Sequence, residues 1–180
     1  MVPITLLLLI IRLESPGSPI YRQERVGYRG QPLRIFKLRT MVADSDDVEK
    51  HLSPEQLAQW RSERKVEDDP RVTRVGRFLR KTSLDELPQF LNVLAGSMSI
   101  VGPRPVVADE LPAYGTDVDA FLSMKPGITG WWQVQARNDA TYEDGSRQQL
   151  ELYYVRNANL KLDVVVFLET FKSIINKTGV

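Results

Sequence analysis

The stretch Ser83-Leu-Asp-Glu-Leu-Pro-Gln89 decides the local fold, because a proline and two adjacent carboxylates mark the start of a helix. The apolar run Phe90 to Leu94 that follows predicts that helix. If the proline is the first helical residue, Asp85 and Glu86 lie in the turn at the helix N-terminus. If Ser83 is the N-cap instead, the glutamate completes a capping box and the proline requires a kink. In both registers the positive end of the helix dipole favours ionised carboxylates.

The acid pair has a structural and a chemical interpretation. Carboxylates that only cap a helix are common at this position. An ionised carboxylate is also a nucleophile or a ligand for a hard metal ion. Arg80 and Lys81 precede the pair, and Gly102-Pro-Arg-Pro105 follows it. Acids surrounded by arginines are typical of a site where phosphates and a divalent cation meet.

Other basic and aromatic residues also allow two interpretations each. Arg104 lies between two prolines on a stiff loop, where it suits either a bidentate phosphate contact or a salt bridge that pins the loop. Lys37 and Arg39 share one face of a predicted strand, which either lines an anion site or is solvated. Trp131-Trp132 could stack on a base or lie at a membrane interface, although core packing is expected for at least one of them.

Hydrophobic periodicity and turn residues predict a small hairpin and several amphipathic helices, an α/β (α+β) fold. Strands are predicted at Ile20–Val26 and Leu33–Leu38, with a turn at Gly27–Gly30 between them. Pro126–Gly130 predicts another turn, and Gly102–Pro105 an irregular loop. Further helices are predicted at 54–65 after the N-cap Ser53, at 72–81, at 142–157 and at 160–175, although Val164–Val166 also suits a strand.

Composition and charge exclude several classes of protein. The chain has 180 residues, no cysteine and one histidine, which excludes disulfides and thiol nucleophiles and argues against a histidine base. Its formal net charge is only +1, but basic and acidic segments alternate along the chain. This alternation predicts anion sites bounded by acidic segments, and it argues against a nucleic-acid binder.

The N-terminal segment Ile4 to Ile11 reads ITLLLLII. As a helix it would extend about 12 Å, too short for a bilayer core of about 30 Å. It is either a buried core segment or the end of a longer membrane-inserted segment. The basic stretch that begins at Arg12 favours the second interpretation. The pattern therefore favours a partial membrane-inserted segment over residues 1–14, followed by a separate domain over residues 15–180.

Eight short segments occur in order along the chain and together resemble one family, the bacterial sugar transferases, which are monotopic polyprenyl-phosphate phosphoglycosyl transferases. The resemblance covers nearly the whole chain. The segments are Tyr21-Arg-Gln-Glu-Arg-Val-Gly27, Phe36-Lys-Leu-Arg-Thr-Met41, Asp69-Pro-Arg71, Ser83-Leu-Asp-Glu-Leu-Pro-Gln89, Asn92-Val-Leu-Ala-Gly-Ser-Met-Ser99, Val101-Gly-Pro-Arg-Pro105, Lys125-Pro-Gly-Ile-Thr-Gly130 and Trp132-Gln-Val134.

The resemblance implies a reaction and a set of site residues. Asp85 would attack the sugar-bearing phosphorus of a UDP-sugar and release UMP, and polyprenyl (undecaprenyl) phosphate would then displace the phosphosugar. Glu86 would act as a metal ligand, an orienter or a base. The acid pair would bind Mg²⁺. The substrate-binding residues would be Lys37, Arg39, Arg80, Gln89 and Arg104.

The resemblance also implies a location, the cytoplasmic face of the bacterial inner membrane, and a role in exopolysaccharide, capsule or other glycan biosynthesis. A homodimer is compatible with it. Pro3 matches the proline at which the family's membrane helix bends, and Ile4 to Ile11 matches the returning limb. The resemblance thus implies a partial re-entrant segment over residues 1–14 and a cytoplasmic catalytic domain over residues 15–180. Ser97, Phe121 and Ala136 depart from the family pattern, with effects on sugar choice or on packing.

Two other functions remain open. One is a truncated, inactive scaffold that binds the membrane and partner proteins through its amphipathic helices. The other is a soluble, metal-dependent phosphohydrolase of nucleotide sugars. The intact acid pair and arginine set favour the transferase over the scaffold, and the apolar start of the chain weighs against the hydrolase.

Overall fold

The computed structural model describes residues 4–63, 66, 68–136 and 144–175. Of these, residues 4–21 and 38–85 form one compact unit, and residues 22–37 and 86–175 form a second. Helices combine with two small two-stranded sheets, which confirms the predicted α/β class. Some predictions lie outside the described residues. They are those for Pro3, for the helical ends at 64–65 and 142–143, and for the outer ends of the ranges 1–14 and 15–180.

The first unit is built from four helices. They are α1 (Ile4–Glu14), α2 (Val48–His51), α3 (Pro54–Glu63) and α4 (Arg74–Lys81). Ile11, Leu38 and Leu79 form the buried core, so one face of α1 packs against α4. Because burial of each such side chain contributes about 1.5–3 kcal/mol, this contact anchors the N-terminal helix to the unit.

Only one face of α1 is buried. The apolar side chains of Ile4, Leu6, Leu9 and Leu13 are exposed on the same helix. Within the described ranges, we find no helix with the length and apolarity needed to cross a bilayer. The segment is therefore in part a core segment, and its insertion into a membrane stays a prediction.

Two helix starts in the first unit follow ordinary capping chemistry. The backbone N–H of Gln56 donates to the Ser53 hydroxyl at 3.2 Å, which confirms the predicted N-cap of α3. In α4, the N–H of Gly76 donates to the Thr73 hydroxyl at 2.9 Å. This cap makes Arg74 the first helical residue, two positions later than the sequence pattern predicted.

The strands, the 3-10 helices and the helices from α5 onward lie wholly or mostly in the second unit. Strand β1 (Ile20–Val26) pairs with β2 (Pro32–Leu38), as predicted, and the 3-10 turn Tyr28–Gly30 connects them. The connection is too short for a parallel crossover, so the two strands form a hairpin. The remaining elements are the 3-10 helices Leu84–Gln89 and Ala108–Asp117, α5 (Phe90–Leu94), β3 (Ser99–Val101), α6 (Val118–Leu122), β4 (Gly127–Thr129), α7 (Trp131–Gln135), α8 (Ser146–Asn157) and α9 (Leu160–Ile175).

The prediction of a turn at Pro126–Gly130 is wrong, because β4 occupies most of that segment. It pairs in parallel with β3, with Ser99 opposite Gly127. A Cβ atom at position 127 would lie 2.2 Å from the backbone nitrogen of Gly102. Glycine therefore serves close approach of two backbones here, whereas the sequence pattern interpreted it as a turn residue.

The start of α5 fits neither predicted register. Asp85 and Glu86 lie in the 3-10 helix Leu84–Gln89, which contains the proline and continues directly into α5. Ser83 has a φ of 55°, in the left-handed region, and not the extended geometry usual for an N-cap. The acid pair precedes α5, as the first register predicted, but α5 begins two residues after the proline.

Two of the departures from the family pattern make packing contacts in the second unit. The Phe121 ring stacks on that of Tyr114, with centroids 4.0 Å apart, in a cluster that also includes Val106 and Leu152. The Ser97 hydroxyl donates to the backbone oxygen of Asn92 at 3.1 Å. Both contacts favour the packing interpretation of these departures. The α9 segment is helical throughout its described length, which excludes the strand alternative at Val164–Val166.

Candidate active site

The acid pair lies on a 3-10 helix, so Asp85 and Glu86 point about 120° apart around its axis. Both side chains are half-buried. Asp85 belongs to the first unit and Glu86 to the second. Each carboxylate interacts with a basic residue of its own unit, Asp85 with Arg80 and Glu86 with Lys37. The acid pair is therefore provided with two positive charges.

Arg80 is fixed by the polypeptide segment that follows β2. Its Nε donates to the Thr40 hydroxyl at 3.0 Å. Burial lowers the pKa of the Arg80 guanidinium, while the negative charges of Asp85 and Asp69 act in the opposite direction. A guanidinium stays protonated at physiological pH, so Arg80 supplies a permanent positive charge beside Asp85.

The position of Arg80 depends on close packing of α4 against Thr40. The Thr40 carbonyl accepts a hydrogen bond from the Thr73 N–H at 3.0 Å. A Cβ atom on Gly76 would lie 1.9 Å from that carbonyl oxygen. Glycine at position 76 therefore allows α4 to approach closely enough for Arg80 to reach the Thr40 hydroxyl.

Lys37 forms an ion pair with Glu86. The Lys37 Nζ donates to Oε1 of Glu86 at 3.1 Å, and the two side chains are 25% and 21% exposed. Partial burial strengthens this pair relative to a surface salt bridge, because less water screens it. Lys37 thus lies beside Glu86, and its assignment to substrate binding stays a prediction.

The segment Asp69-Pro-Arg71 forms a buried clamp in the first unit. The Arg71 guanidinium donates to both carboxylate oxygens of Asp69, from Nε at 2.9 Å and from Nη2 at 2.6 Å. Burial raises the pKa of the Asp69 carboxyl, but its hydrogen bonds to Arg71 outweigh burial and lower the pKa overall. Because each charge is satisfied by the other, this pair serves to hold the chain.

Arg104 makes two kinds of contact. Its backbone N–H donates to both carboxylate oxygens of Glu151, at 3.3 and 3.2 Å. Its guanidinium lies 5.4 Å from the ring centroid of Trp132, and that of Arg147 lies 4.2 Å from the same ring. Trp132 is buried, which confirms the prediction that at least one of the two tryptophans packs in the core.

Arg39 contacts the backbone after α1, and Gln89 is buried. The Arg39 guanidinium donates to the carbonyl oxygens of Ser15 and Pro16, the latter at 2.7 Å, and so holds the turn after α1. Gln89 is only 3% exposed. Their assignment to substrate binding stays a prediction, and the contacts of Arg39 describe a structural role.

The acid pair provides a suitable donor set for the expected Mg²⁺. Magnesium is usually bound by one or two carboxylates together with substrate phosphates, and Asp85 and Glu86 offer two adjacent carboxylates. Over the described ranges, no group of three or more histidine, aspartate or glutamate side chains could hold a metal by itself. Substrate phosphate oxygens and water would complete the shell of a magnesium ion held by this pair.

The sequence pattern did not identify Thr40, Arg147 or Glu151. Thr40 is a small polar residue at a strand end, and the other two are charged residues on a predicted helix. Charged residues on helices are usually solvated, so their burial becomes visible only in the folded chain. The family segment that contains Thr40 was the one available signal.

Asp85 and Glu86 are half-buried and each interacts with a basic residue, a combination typical of phosphate chemistry. The chain belongs to the bacterial sugar transferase family, whose family model matches residues 1–177. This match covers nearly every residue and confirms the resemblance that the eight segments indicated.

Three relatives illustrate this membership. The chain is 47% identical to the undecaprenyl-phosphate galactose phosphotransferase of Salmonella typhimurium, over 91% of the chain and 34% of that protein. It is 40% identical to the UDP-glucose:undecaprenyl-phosphate glucose-1-phosphate transferase of Escherichia coli, over 95% of the chain and 36% of the relative. It is 42% identical to the exopolysaccharide production protein ExoY of Sinorhizobium fredii, over 98% of the chain and 79% of ExoY. The chain thus spans about a third of the length of the first two relatives.

Proposed function

We propose that the protein transfers a sugar-1-phosphate from a UDP-sugar to undecaprenyl phosphate. Family membership and the names of the two phosphotransferase relatives support this reaction. The relative ExoY supports a place in exopolysaccharide production. The observation that carries the proposal is the pair of consecutive carboxylates, each next to a fixed basic residue.

In the first step, a carboxylate oxygen of Asp85 attacks the sugar-bearing phosphorus of the UDP-sugar. A bond forms between this oxygen and phosphorus, and the bond from phosphorus to the bridging oxygen of the diphosphate breaks. The electron pair of that bond leaves with UMP. The product is an aspartyl phosphosugar, a covalent intermediate that divides the transfer into two displacements.

The basic residues stabilise charge in this step. Arg80 lies beside Asp85, and Lys37 lies beside Glu86. Cations aimed at a transferring phosphoryl group stabilise the negative charge that moves onto the leaving oxygen. When bound, Mg²⁺ would be held by Asp85 and Glu86 and would neutralise diphosphate charge.

In the second step, a phosphate oxygen of undecaprenyl phosphate attacks the phosphorus of the intermediate. The bond between phosphorus and the Asp85 oxygen breaks, its electron pair returns to the carboxylate, and the undecaprenyl diphosphosugar leaves. The acceptor is a lipid, so the site must be near a membrane. The exposed apolar side chains of α1 and α9 support docking at the cytoplasmic face of the inner membrane.

Intact-protein mass spectrometry tests the first step. The purified full chain in detergent is mixed with Mg²⁺ and either UDP-glucose or UDP-galactose, without lipid acceptor. We expect a mass gain of one hexose phosphate and one equivalent of UMP. Undecaprenyl phosphate added next should remove the extra mass.

Two variants sharpen this test. Asp85→Asn should show no mass gain, whereas Asp44→Asn changes an exposed acid of the first unit and should behave as wild type. Continuous UMP release without lipid would support a nucleotide-sugar hydrolase instead. No adduct with either donor, together with no UMP release, would favour the scaffold.

A further inference from the structure

The loop Gly102–Pro105, which carries Arg104, has only two backbone N–H donors, because two of its four residues are prolines. The N–H of Gly102 donates to the Thr129 carbonyl of β4 at 2.9 Å. The N–H of Arg104 donates to the carboxylate of Glu151 on α8. One donor thus attaches the loop to the sheet, and the other attaches it to the helix.

Glu151 is an unusual residue for the interior of a helix that packs against a core. It is only 1% exposed, and its neighbour Leu152 belongs to the core cluster. Taking a carboxylate out of water costs several kcal/mol unless it is well paired. An apolar side chain of similar size would avoid this cost, so stability alone does not explain a glutamate here.

The surroundings of Glu151 connect it to the guanidinium of Arg104. The positive charges of Arg104 and Arg147 both act on its carboxylate. Both guanidinium groups also lie over the ring of Trp132. The backbone and the side chain of Arg104 are therefore held by one group of residues that comes from α7 and α8.

We infer that Glu151 is a positioning residue: by accepting the Arg104 N–H, it fixes the Gly102–Pro105 loop and with it the Arg104 guanidinium that binds the donor diphosphate. This inference rests on the proposed function for the role of Arg104. Glu151 acts through Arg104 and does not touch the reacting atoms. To hold the loop, the side chain at position 151 must offer a hydrogen-bond acceptor to the Arg104 N–H. It does not need a negative charge.

Two variants of nearly equal size separate the acceptor from the volume of the side chain. Glu151→Gln keeps an acceptor oxygen, and Glu151→Met keeps the length but has no acceptor for the Arg104 N–H. Glu151→Met leaves the Arg104 N–H and the charge of Arg147 without their buried partner, so it should be destabilised, and circular dichroism establishes that it folds before the other measurements are made. Leu152→Ala is the matched control, because it weakens the packing of the same helix and keeps the Glu151 acceptor.

The first measurement does not depend on activity. Amide hydrogen exchange at the Arg104 N–H, followed by NMR on the full chain in detergent, should be slow in the wild type and in Glu151→Gln. In Glu151→Met it should be about tenfold faster, since an ordinary buried hydrogen bond is worth roughly that factor. Leu152→Ala should retain slow exchange relative to the methionine variant.

The second measurement is the KM for UDP-glucose or UDP-galactose in UMP release with undecaprenyl phosphate present. Glu151→Met should raise KM about tenfold with little change in kcat, as expected for lost binding, and Glu151→Gln should stay close to wild type. Equal exchange and equal KM in the methionine and glutamine variants would overturn the inference, and so would an equal rise of KM in Leu152→Ala. If the wild type forms no phosphosugar adduct, the proposed function fails, and the exchange measurement alone then supports or overturns the role of Glu151 in holding the loop.

Discussion

The burial of Glu151 makes the stability of this protein depend on pH in a specific direction. Burial raises the pKa of its carboxyl from an ordinary 4.5 to about 7, although the Arg104 N–H and the charges of Arg147 and Arg104 act against the rise. Between these two pH values the folded chain keeps the proton that the unfolded chain has lost. The unfolded state therefore binds fewer protons, and the free energy of unfolding falls as pH rises.

The size of this effect follows from the same two pKa values. At about 1.4 kcal/mol for each pH unit, a rise from 4.5 to about 7 corresponds to about 3 kcal/mol. This stability is fully present below pH 4.5 and is lost as pH rises through about 7. Glu151→Gln cannot titrate and lacks this contribution, whereas all other titrating groups remain the same in both proteins.

Urea denaturation followed by circular dichroism, in matched detergent from pH 4.5 to 8, measures the effect. The wild-type free energy of unfolding minus that of Glu151→Gln should fall by about 3 kcal/mol over this range. A difference that stays constant within about 0.5 kcal/mol would refute the reasoning. It would show that the two arginines and the Arg104 N–H fully offset the cost of burying the charge.

Three further predictions concern the residues that position the site. Lys37→Met should lower the free energy of unfolding by about 1–2 kcal/mol, because it removes the ion pair with Glu86. In urea denaturation, a double-mutant cycle with Glu86→Gln should give a coupling energy of about 1 kcal/mol, and a coupling energy below about 0.3 kcal/mol would contradict the ion pair. Gly76→Ala should lower the free energy of unfolding by about 1–3 kcal/mol, because the new Cβ would collide with the Thr40 carbonyl. The control Arg77→Ala, on the exposed face of α4, should change the free energy of unfolding by no more than about 0.5 kcal/mol. Stabilisation by Gly76→Ala would contradict the close approach of the two backbones. Asn92→Asp should lower the free energy of unfolding by about 2–3 kcal/mol at pH 7, because a carboxylate would face the Arg34 carbonyl. The loss should be smaller at pH 4, where a protonated carboxyl can donate to that carbonyl. Thermal melting at both pH values checks this prediction, and equal losses of stability would argue against it.

Elements with strong local signals were predictable from the sequence. The alternation in β2, the Ser53-Pro54 start of α3 and the apolar period of α9 each reflect the residues of that element alone. The predicted turn at 126–130 was wrong, because the strand in this segment exists only through pairing with β3. Pairing over such a distance leaves no local periodicity in a strand of three residues.

The candidate site divides in the same way. The acid pair and its neighbours Lys37 and Arg80 could be proposed from residue type and from order along the chain. Glu151 could not, because nothing in the pattern of α8 distinguishes it from the exposed Arg156 on the same helix. The contacts of the Arg39 guanidinium with the backbone at Ser15 and Pro16 could not be predicted either, and its assignment to substrate binding stays a prediction.

Asn92 shows how the second unit places Lys37 beside Glu86 although its described sheets have only two strands each. Its side chain accepts from the Phe36 N–H at 3.2 Å and donates to the Arg34 carbonyl at 2.7 Å, so one amide pairs with β2 as another strand would. This double contact fixes the start of α5 against β2. Lys37 is the next residue on β2, and Glu86 lies on the 3-10 helix that leads into α5. The distance between Lys37 and Glu86 is therefore set by a buried amide six residues beyond the glutamate, which explains how a two-stranded hairpin can hold a charged side chain in place.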